Sequence, residues 1–157
     1  EDSLDDPQGP QRQWFEAALA ETARDDAIRT TIVAFHRPLI CFGKHRIMRD
    51  RLAWMHPLFL EHHVSLVLCG HNHAYERFER DGLSYVTDGG GGALLYSVTK
   101  QLEEGMVTEE EQSWRQAAEM SYGVIKLEVT EDGGLTVTRI QAPSGAVTDT
   151  VFIAPKA

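Results

Sequence analysis

The sequence predicts an α/β domain with a mixed sheet and an antiparallel β-meander at its end. Two short apolar segments, residues 29–35 and 64–69, have the composition of buried strands, and each follows a segment with helical spacing. Apolar and polar residues alternate instead at residues 122–130, 135–140 and 147–153, with glycine-containing turns between these runs. The change of period therefore divides one domain into an α/β part and an antiparallel part.

Length and composition limit the functions open to the chain. Its 157 residues, 42% of them hydrophobic, suffice for one domain with a real core. A net charge of −9 argues against binding to a nucleic acid backbone, and an anionic substrate would need a metal to attract it. No apolar run approaches the roughly 20 residues that cross a bilayer, so no membrane contact is expected. Residues 1–6 lack the pattern of a secretory signal, and the sequence assigns no compartment.

The elements of the α/β part follow one another in order. Residues 11–24 have apolar side chains at the spacing of a helix with one buried face. The first strand, residues 29–35, leads into a loop at residues 39–46. Helical spacing returns at residues 47–63, where Pro57 removes a backbone donor. We therefore expect two short helices there, the second opening near Pro57.

The segment after the second strand has three features. Asp81 and Gly82 predict a tight turn in a hairpin at residues 77–87. The four glycines at residues 89–92 lack the Lys and Ser or Thr of a phosphate-binding loop, so we interpret them as a tight strand connection near the site. Residues 97–120 are polar and acidic, which predicts a solvated helix or a mobile loop.

Three histidines stand where the predicted parallel strands end. His36 closes the first strand, while Gly70 stops the second and is followed by His71 and His73. Open α/β sheets bind ligands at the edge where the carboxyl ends of their strands meet. Imidazole is the commonest metal ligand in proteins, and two imidazoles on a tight turn can reach one metal ion or two adjacent ones. A metal site at this edge is therefore the leading hypothesis.

Two longer segments resemble motifs of a known family. Residues 70–77 read Gly-His-Asn-His-Ala-Tyr-Glu-Arg, which resembles the last motif of the calcineurin-like metallophosphoesterases in the form carried by purple acid phosphatases. Residues 30–38 read Thr-Thr-Ile-Val-Ala-Phe-His-Arg-Pro, which is similar to the preceding motif. The resemblance implies the carboxyl-terminal half of a four-layer αββα sandwich. It also implies that His36 and His71 bind one metal ion and His73 the other, in a dinuclear centre of Fe, Zn or Mn.

The same resemblance implies ligands that the chain lacks. The family takes aspartates and an asparagine from amino-terminal motifs of the Asp-x-His, Gly-Asp and Gly-Asn-His kinds. None of these motifs is present, and Asn72, within the histidine motif, is the only asparagine in the chain. Residues 1–157 are therefore expected to be the carboxyl-terminal portion of one catalytic domain. By itself this portion should hold no metal ion, or one weakly.

Four further side chains bear on the site. His45 follows His36 at the spacing at which purple acid phosphatases place a histidine that can protonate the leaving group, and the alternative is a plain solvated loop residue. Arg77 would either clamp phosphate or orient the histidine loop through hydrogen bonds. Cys41 and Cys69 are expected to be buried free thiols, although their positions also permit a disulfide.

These observations predict phosphoester hydrolysis by a dinuclear metal centre in the intact protein. A phosphate ester would be the substrate, and the amino-terminal half of the same protein would supply the other ligands. A chain without that half would expose sheet edges and apolar faces, so self-association is expected. The alternative is a non-catalytic binding or regulatory module on the same scaffold, in which the histidines only fill polar positions.

Overall fold

A computed structural model describes residues 4–156, so residues 1–3 and residue 157 of the predicted domain lie outside the described part. The helices are α1 (Pro10–Arg24), α2 (Arg49–Glu61), α3 (Lys100–Glu103) and α4 (Glu109–Ser113). The strands are β1 (Ile32–Phe35), β2 (Leu66–Cys69), β3 (Tyr75–Arg80), β4 (Leu83–Asp88), β5 (Arg115–Glu119), β6 (Gly123–Val129), β7 (Leu135–Gln141) and β8 (Val147–Ile153).

The strands form the predicted mixed sheet and meander. The mixed sheet has five strands in the order β1-β2-β4-β3-β5. β1, β2 and β4 are parallel, whereas β3 is antiparallel to both of its neighbours. Asp81 and Gly82, with φ of 50° and 79°, close the β3–β4 hairpin. β6, β7 and β8 form the second, antiparallel sheet. The predicted fold class is confirmed.

The mixed sheet separates two cores because its side chains alternate between its faces. Val33 and Val67 face the helices, where they pack with Phe59 of α2. Leu66, the neighbour of Val67, faces the meander and packs with Leu135 of β7. Each such buried side chain is worth about 1.5–3 kcal/mol relative to an exposed one. The layers therefore run helix, mixed sheet, meander.

Two arginine–aspartate pairs link the two sheets. Arg139 of β7 is fully buried and donates through Nη1 to Oδ2 of Asp88, at the end of β4, at 3.1 Å. Arg77 of β3 donates through Nε and Nη2 to the two carboxylate oxygens of Asp149 on β8, at 2.7 and 3.0 Å. The Tyr75 hydroxyl donates to the same carboxylate at 2.7 Å. Burial raises the pKa of Asp88 and Arg139 lowers it, so this carboxylate depends on its arginine to stay charged.

α2 runs unbroken through Pro57, so the prediction of two short helices is wrong. The neighbouring His56 is buried, and its Nδ1 lies 2.7 Å from the Tyr85 hydroxyl while its Nε2 lies 2.8 Å from Oδ2 of Asp81. Phe59 is also fully buried. Because both sides of the proline are anchored to the sheet, packing offsets the roughly 3 kcal/mol that proline costs inside a helix.

The prediction for residues 97–120 is correct only in part, because the segment contains two short, mostly exposed helices, α3 and α4, but also strand β5. Glu111 makes a capping box with Thr108 at the start of α4, and Arg49 donates to both of its carboxylate oxygens at 2.7 and 2.8 Å. β5 reads Arg-Gln-Ala-Ala-Glu, without a β-branched residue, and is a strand because it pairs with β3. Tertiary pairing outweighs propensity here.

Some apolar surface is uncovered within the part of the chain that the structure describes. β1 lies at one edge of the mixed sheet and pairs only with β2. Leu127 and Val129 are 37% and 59% exposed, although they share the face that buries Leu135 and Val137. These are surfaces on which a further strand or layer can pack. Separately, no helix within residues 4–156 has the length and apolar character to span a bilayer.

Replacing Arg139 with methionine should lower the free energy of unfolding by about 3–5 kcal/mol, because the change leaves a buried carboxylate without its partner. Urea unfolding of R139M measures this loss. Adding Asp88→Asn in the same chain should recover part of it. Lys126→Met is the control, since its ion pair with Glu128 is about half exposed on both sides and should change stability by less than about 1 kcal/mol. Equal losses in R139M and K126M would contradict the role given to Arg139.

Candidate metal centre

The candidate site lies at the carboxyl-terminal edge of β1 and β2. His36 follows β1 directly, and His71 and His73 follow β2. The Gly70 N–H donates to the His36 carbonyl oxygen at 3.1 Å, which ties the two loops together. His71 has a φ of 61°, in the left-handed region that histidine enters more readily than most residues. Parallel pairing and a tight loop thus bring the histidines to one edge, as the sequence predicts.

Three imidazoles are in contact there. Nε2 of His36 and Nδ1 of His71 lie 2.9 Å apart. The ring of His45 lies against the ring of His71, with 4.0 Å between their centroids. His45 therefore belongs to the cluster and is not an isolated solvated residue. Its loop is stabilised by a hydrogen bond, because the Cys41 thiol donates to the His45 carbonyl oxygen at 2.7 Å.

His73 is held separately by the segment that follows the glycine run. Its Nδ1 lies 2.8 Å from the carbonyl oxygen of Leu94, and its ring stacks on Tyr96 with 4.2 Å between centroids. A carbonyl oxygen only accepts hydrogen bonds, so Nδ1 carries the proton. In the neutral ring Nε2 then keeps its lone pair. This is the arrangement by which proteins orient a histidine for metal binding.

Burial and neighbouring positive charge act on two of these histidines. Burial is the largest cause that lowers the pKa of His71, followed by the charges of His45, His36 and Arg37. Burial also lowers the pKa of His45, with further contributions from Lys44 and Arg37. For His71 the lowered pKa favours the neutral imidazole, the form that binds metal ions. For His45 it means that the protonated form is populated only at more acidic pH.

The buried carboxylate of Glu76 fixes the loops that carry the histidines. Glu76 is fully buried, and its Oε1 accepts from the Phe42 N–H at 2.9 Å while its Oε2 accepts from Nδ2 of Asn72 at 2.8 Å. Oδ1 of Asn72 then accepts from the Lys44 N–H at 3.3 Å. Burial raises the pKa of Glu76 to about 7. The supporting role predicted for Arg77 therefore falls to Glu76, since the Arg77 guanidinium is paired with Asp149 on β8.

Two glycines let other segments close around Asn72. A Cβ atom at Gly89 would overlap the Asn72 carbonyl oxygen, and a Cβ atom at Gly43 would overlap the Asn72 side chain. The Gly89 N–H donates to the Ala74 carbonyl oxygen at 3.2 Å. The glycine run is therefore a close connection beside the site, as predicted. At Gly89 the requirement is space for a neighbouring backbone, while Gly92 has a φ of 140° that favours glycine.

The two cysteines are free thiols, as predicted. Cys41 is buried and Cys69 is partly buried. Burial raises the pKa of both thiols, so neither is a ready thiolate ligand.

The histidines fit part of a metal site. Metal–nitrogen bonds of about 2.0–2.1 Å at the tetrahedral angle place two ligand nitrogens roughly 3.4 Å apart. The 2.9 Å between His36 and His71 is a hydrogen bond, so the two nitrogens face each other and would have to separate slightly and lose the shared proton to hold one ion. Within residues 4–156, no three His, Cys, Asp or Glu side chains are grouped to hold a metal ion. The chain thus offers a pair of converging imidazoles and a third, separately oriented one, and the assignment of these three histidines as ligands stays a prediction.

Sequence reasoning missed two side chains at the site. Strand alternation would turn Arg37 away from the side on which His36 lies, but β1 ends at Phe35, so strand alternation does not apply to it. Arg37 lines the same cavity as His45 and His71. Tyr96, which stacks on His73, carries no local signal beyond its position shortly after the glycine run.

Sequence comparison finds relatives over part of the chain. No protein-family model matches the chain. It is 40% identical to an uncharacterized protein of Mycobacterium tuberculosis over 72 residues, which are 44% of this chain and 13% of that protein. It is 30% identical to tartrate-resistant acid phosphatase type 5 of Rattus norvegicus over 92 residues, which are 58% of this chain and 27% of that protein. The chain therefore spans well under a third of the curated relatives that it matches.

Structural comparison extends the likeness to almost the whole chain. A structure of GAP50, the anchor in the inner membrane complex of Plasmodium, matches 98% of this chain and 47% of its own, with a TM-score of 0.78 and 17% identity. Purple acid phosphatase PPD1 from seeds of yellow lupin, Lupinus luteus, matches 94% of this chain and 28% of its own, with a TM-score of 0.74 and 20% identity. The resemblance that the histidine motifs predict is confirmed, and the fold is that of a carboxyl-terminal part of these proteins.

Glu76→Gln should loosen the histidine loop, because an amide NH₂ must then face a donor, either the Phe42 N–H or Nδ2 of Asn72. Rotating the Asn72 amide only moves the conflict to the Lys44 N–H. Leaving a buried donor unsatisfied costs about 1–3 kcal/mol. Urea unfolding and hydrogen exchange at the Phe42 amide measure the effect. Glu79→Gln, at an exposed position of the same strand, is the control. An E76Q protein as stable and as protected as E79Q would refute the supporting role.

Proposed function

We propose that this chain, which has the fold and the histidine motifs of the purple acid phosphatase-like metallophosphoesterases, supplies the histidine ligands of a dinuclear phosphoesterase centre. The observation that carries the proposal is the convergence of His36 and His71 at the carboxyl ends of β1 and β2, 2.9 Å apart. The 30% identity to an acid phosphatase supports it from sequence. The reaction is hydrolysis of a phosphate ester.

Each histidine has a distinct role in this proposal. His36 and His71 hold one metal ion, and His73, oriented by the Leu94 carbonyl, holds the other. When bound, such a metal pair polarises the phosphoryl oxygens and lowers the pKa of a bound water. His45 touches the ring of His71 and is not itself needed as a ligand. In its protonated form, which its lowered pKa restricts to more acidic pH, it can donate a proton to the leaving oxygen. Glu76 and Asn72 keep the loops of these residues in register.

The remaining ligands come from outside these 157 residues in our proposal. The chain spans only 27% of the acid phosphatase that it matches, and a metal pair needs more ligands than three histidines. A further segment that supplied these ligands would also cover the open edge of β1 and the exposed Leu127 and Val129. Without it, these surfaces would favour self-association of the chain.

A non-catalytic module is the second candidate function. One observation favours it: the structure of GAP50, described as an anchor in a membrane complex, matches this chain over 98% of its length. In that case the histidine cluster would be a polar remnant at the edge of the sheet, and the open faces would bind a partner protein. Metal content and hydrolysis separate the two candidates.

Replacing His36 or His71 with alanine in the longer protein should lower hydrolysis of para-nitrophenyl phosphate by more than the roughly 10–100-fold that loss of an outer-shell metal partner costs. Metal analysis should show a parallel loss of bound metal. His63→Asn, beyond the end of α2, removes an imidazole away from the site and should change neither quantity. Parent-level activity and metal content in H71A would refute the ligand assignment.

The 157-residue chain by itself should bind at most one metal ion per molecule, and weakly, because its histidines are divided between two ions. Metal analysis and light scattering on the same purified sample test this expectation together with self-association. Two tightly held metal ions in an active monomer would contradict the division of ligands between this chain and a further segment.

His45→Ala should lower turnover more for alkyl phosphates than for para-nitrophenyl phosphate. An alkoxide leaving group needs a proton in the transition state, whereas nitrophenolate leaves readily without one. The measurement is kcat for both substrates in the parent protein and in H45A. An equal loss on both substrates would point to positioning of His71 by ring contact instead of proton donation.

A further inference from the structure

A small cavity of about 270 Å³ opens beside the histidine cluster. We call it the arginine pocket, and it is lined by Arg37, Pro38, His45, Arg46, Met48 and His71. No acidic side chain contributes to this lining. The pocket is smaller than the roughly 300–1,000 Å³ of sites for drug-sized ligands, so it suits one small charged group.

The two arginines of the pocket have no carboxylate partner among the described residues. Arg37 and Arg46 are both exposed. Six of the eleven arginines form ion pairs, whereas Arg24, Arg29 and Arg115, like Arg37 and Arg46, form none among the described residues. Arg37 and Arg46 differ from the other three because both line one cavity beside the histidine cluster, with no carboxylate in its lining. They form a local positive surface to which an anion is attracted.

The position of His45 indicates which part of the substrate lies in the pocket. It lines the pocket and its ring also lies against that of His71, so the arginines and the candidate metal site adjoin at His45. In the proposed function it donates its proton to the leaving oxygen. A substrate whose leaving oxygen lies at His45 therefore extends its alcohol portion toward Arg37 and Arg46.

We infer that the arginine pocket binds a second anionic group on the alcohol portion of the substrate. The substrates are then phosphate esters of alcohols that carry a carboxylate or a further phosphate. Guanidinium groups bind both kinds of anion through paired, charge-assisted hydrogen bonds. That the anion belongs to a substrate rests on the proposed function, whereas the binding of an anion in the pocket does not depend on it.

The kinetic test uses two substrates that differ by one carboxylate, phenyl phosphate and 4-carboxyphenyl phosphate, with the metal-loaded longer protein. R37Q/R46Q should lower kcat/KM for the carboxylated substrate by about tenfold or more, mainly through KM, and for phenyl phosphate by no more than about twofold. The control R24Q/R29Q removes the same charge before β1, at the opposite edge of the sheet from the histidines. Equal losses on both substrates, or equal losses in the control, would overturn the inference.

A binding test separates this inference from the proposed function. Calorimetry with inorganic pyrophosphate is performed on the same protein after removal of metal, so that the probe cannot bind a metal ion. The parent and R24Q/R29Q should bind pyrophosphate about tenfold or more tightly than R37Q/R46Q. No difference between parent and R37Q/R46Q would overturn the pocket even if the enzyme is active. A clear difference in a protein that hydrolyses no phosphate ester would support the pocket and refute the hydrolase.

Discussion

The buried carboxylate of Glu76 is the constraint on which the site depends. It is fully buried, yet it accepts hydrogen bonds from two loops, through the Phe42 amide and the Asn72 side chain. Because an unpaired buried acceptor is costly, neither loop can move without breaking that network. His45 belongs to the first loop and His71 to the second. One side chain on β3 thus sets the relation between imidazoles that are distant in sequence.

Two pairs of arginines have different roles in this chain. Arg139 and Arg77 are paired with aspartates across the two sheets. Each pair joins the sheets by a directed ionic contact at a place where apolar side chains would otherwise pack. Arg37 and Arg46 line a cavity with His45 and His71 instead, and neither forms an ion pair among the described residues. Paired charges inside a fold stabilise one arrangement of its layers. Guanidinium groups that have no carboxylate partner and lie at an open edge can attract an anionic ligand.

Elements with a strong hydrophobic period were predictable from sequence, and so were the histidines at the strand ends. The meander strands and the β3–β4 hairpin fall where alternation and the Asp81-Gly82 turn put them. The exceptions depend on contacts distant in sequence. Pro57 stays helical because its neighbours are anchored to the sheet, and β5 is a strand because β3 pairs with it. The sequence does not distinguish Glu76 from other charged residues of the motif, and its role follows only from its burial in the structure.

The geometry of His36 and His71 follows from contacts within this chain alone. Parallel pairing of β1 with β2, the Gly70–His36 hydrogen bond and the Glu76 network bring the two nitrogens together. A site whose ligands are already convergent needs little reorganisation when it binds its ion. Ligands from any further segment must then adapt to this fixed pair. In our proposal, a hydrolase on this scaffold differs from a non-catalytic module in whether a further segment brings the remaining ligands to this edge.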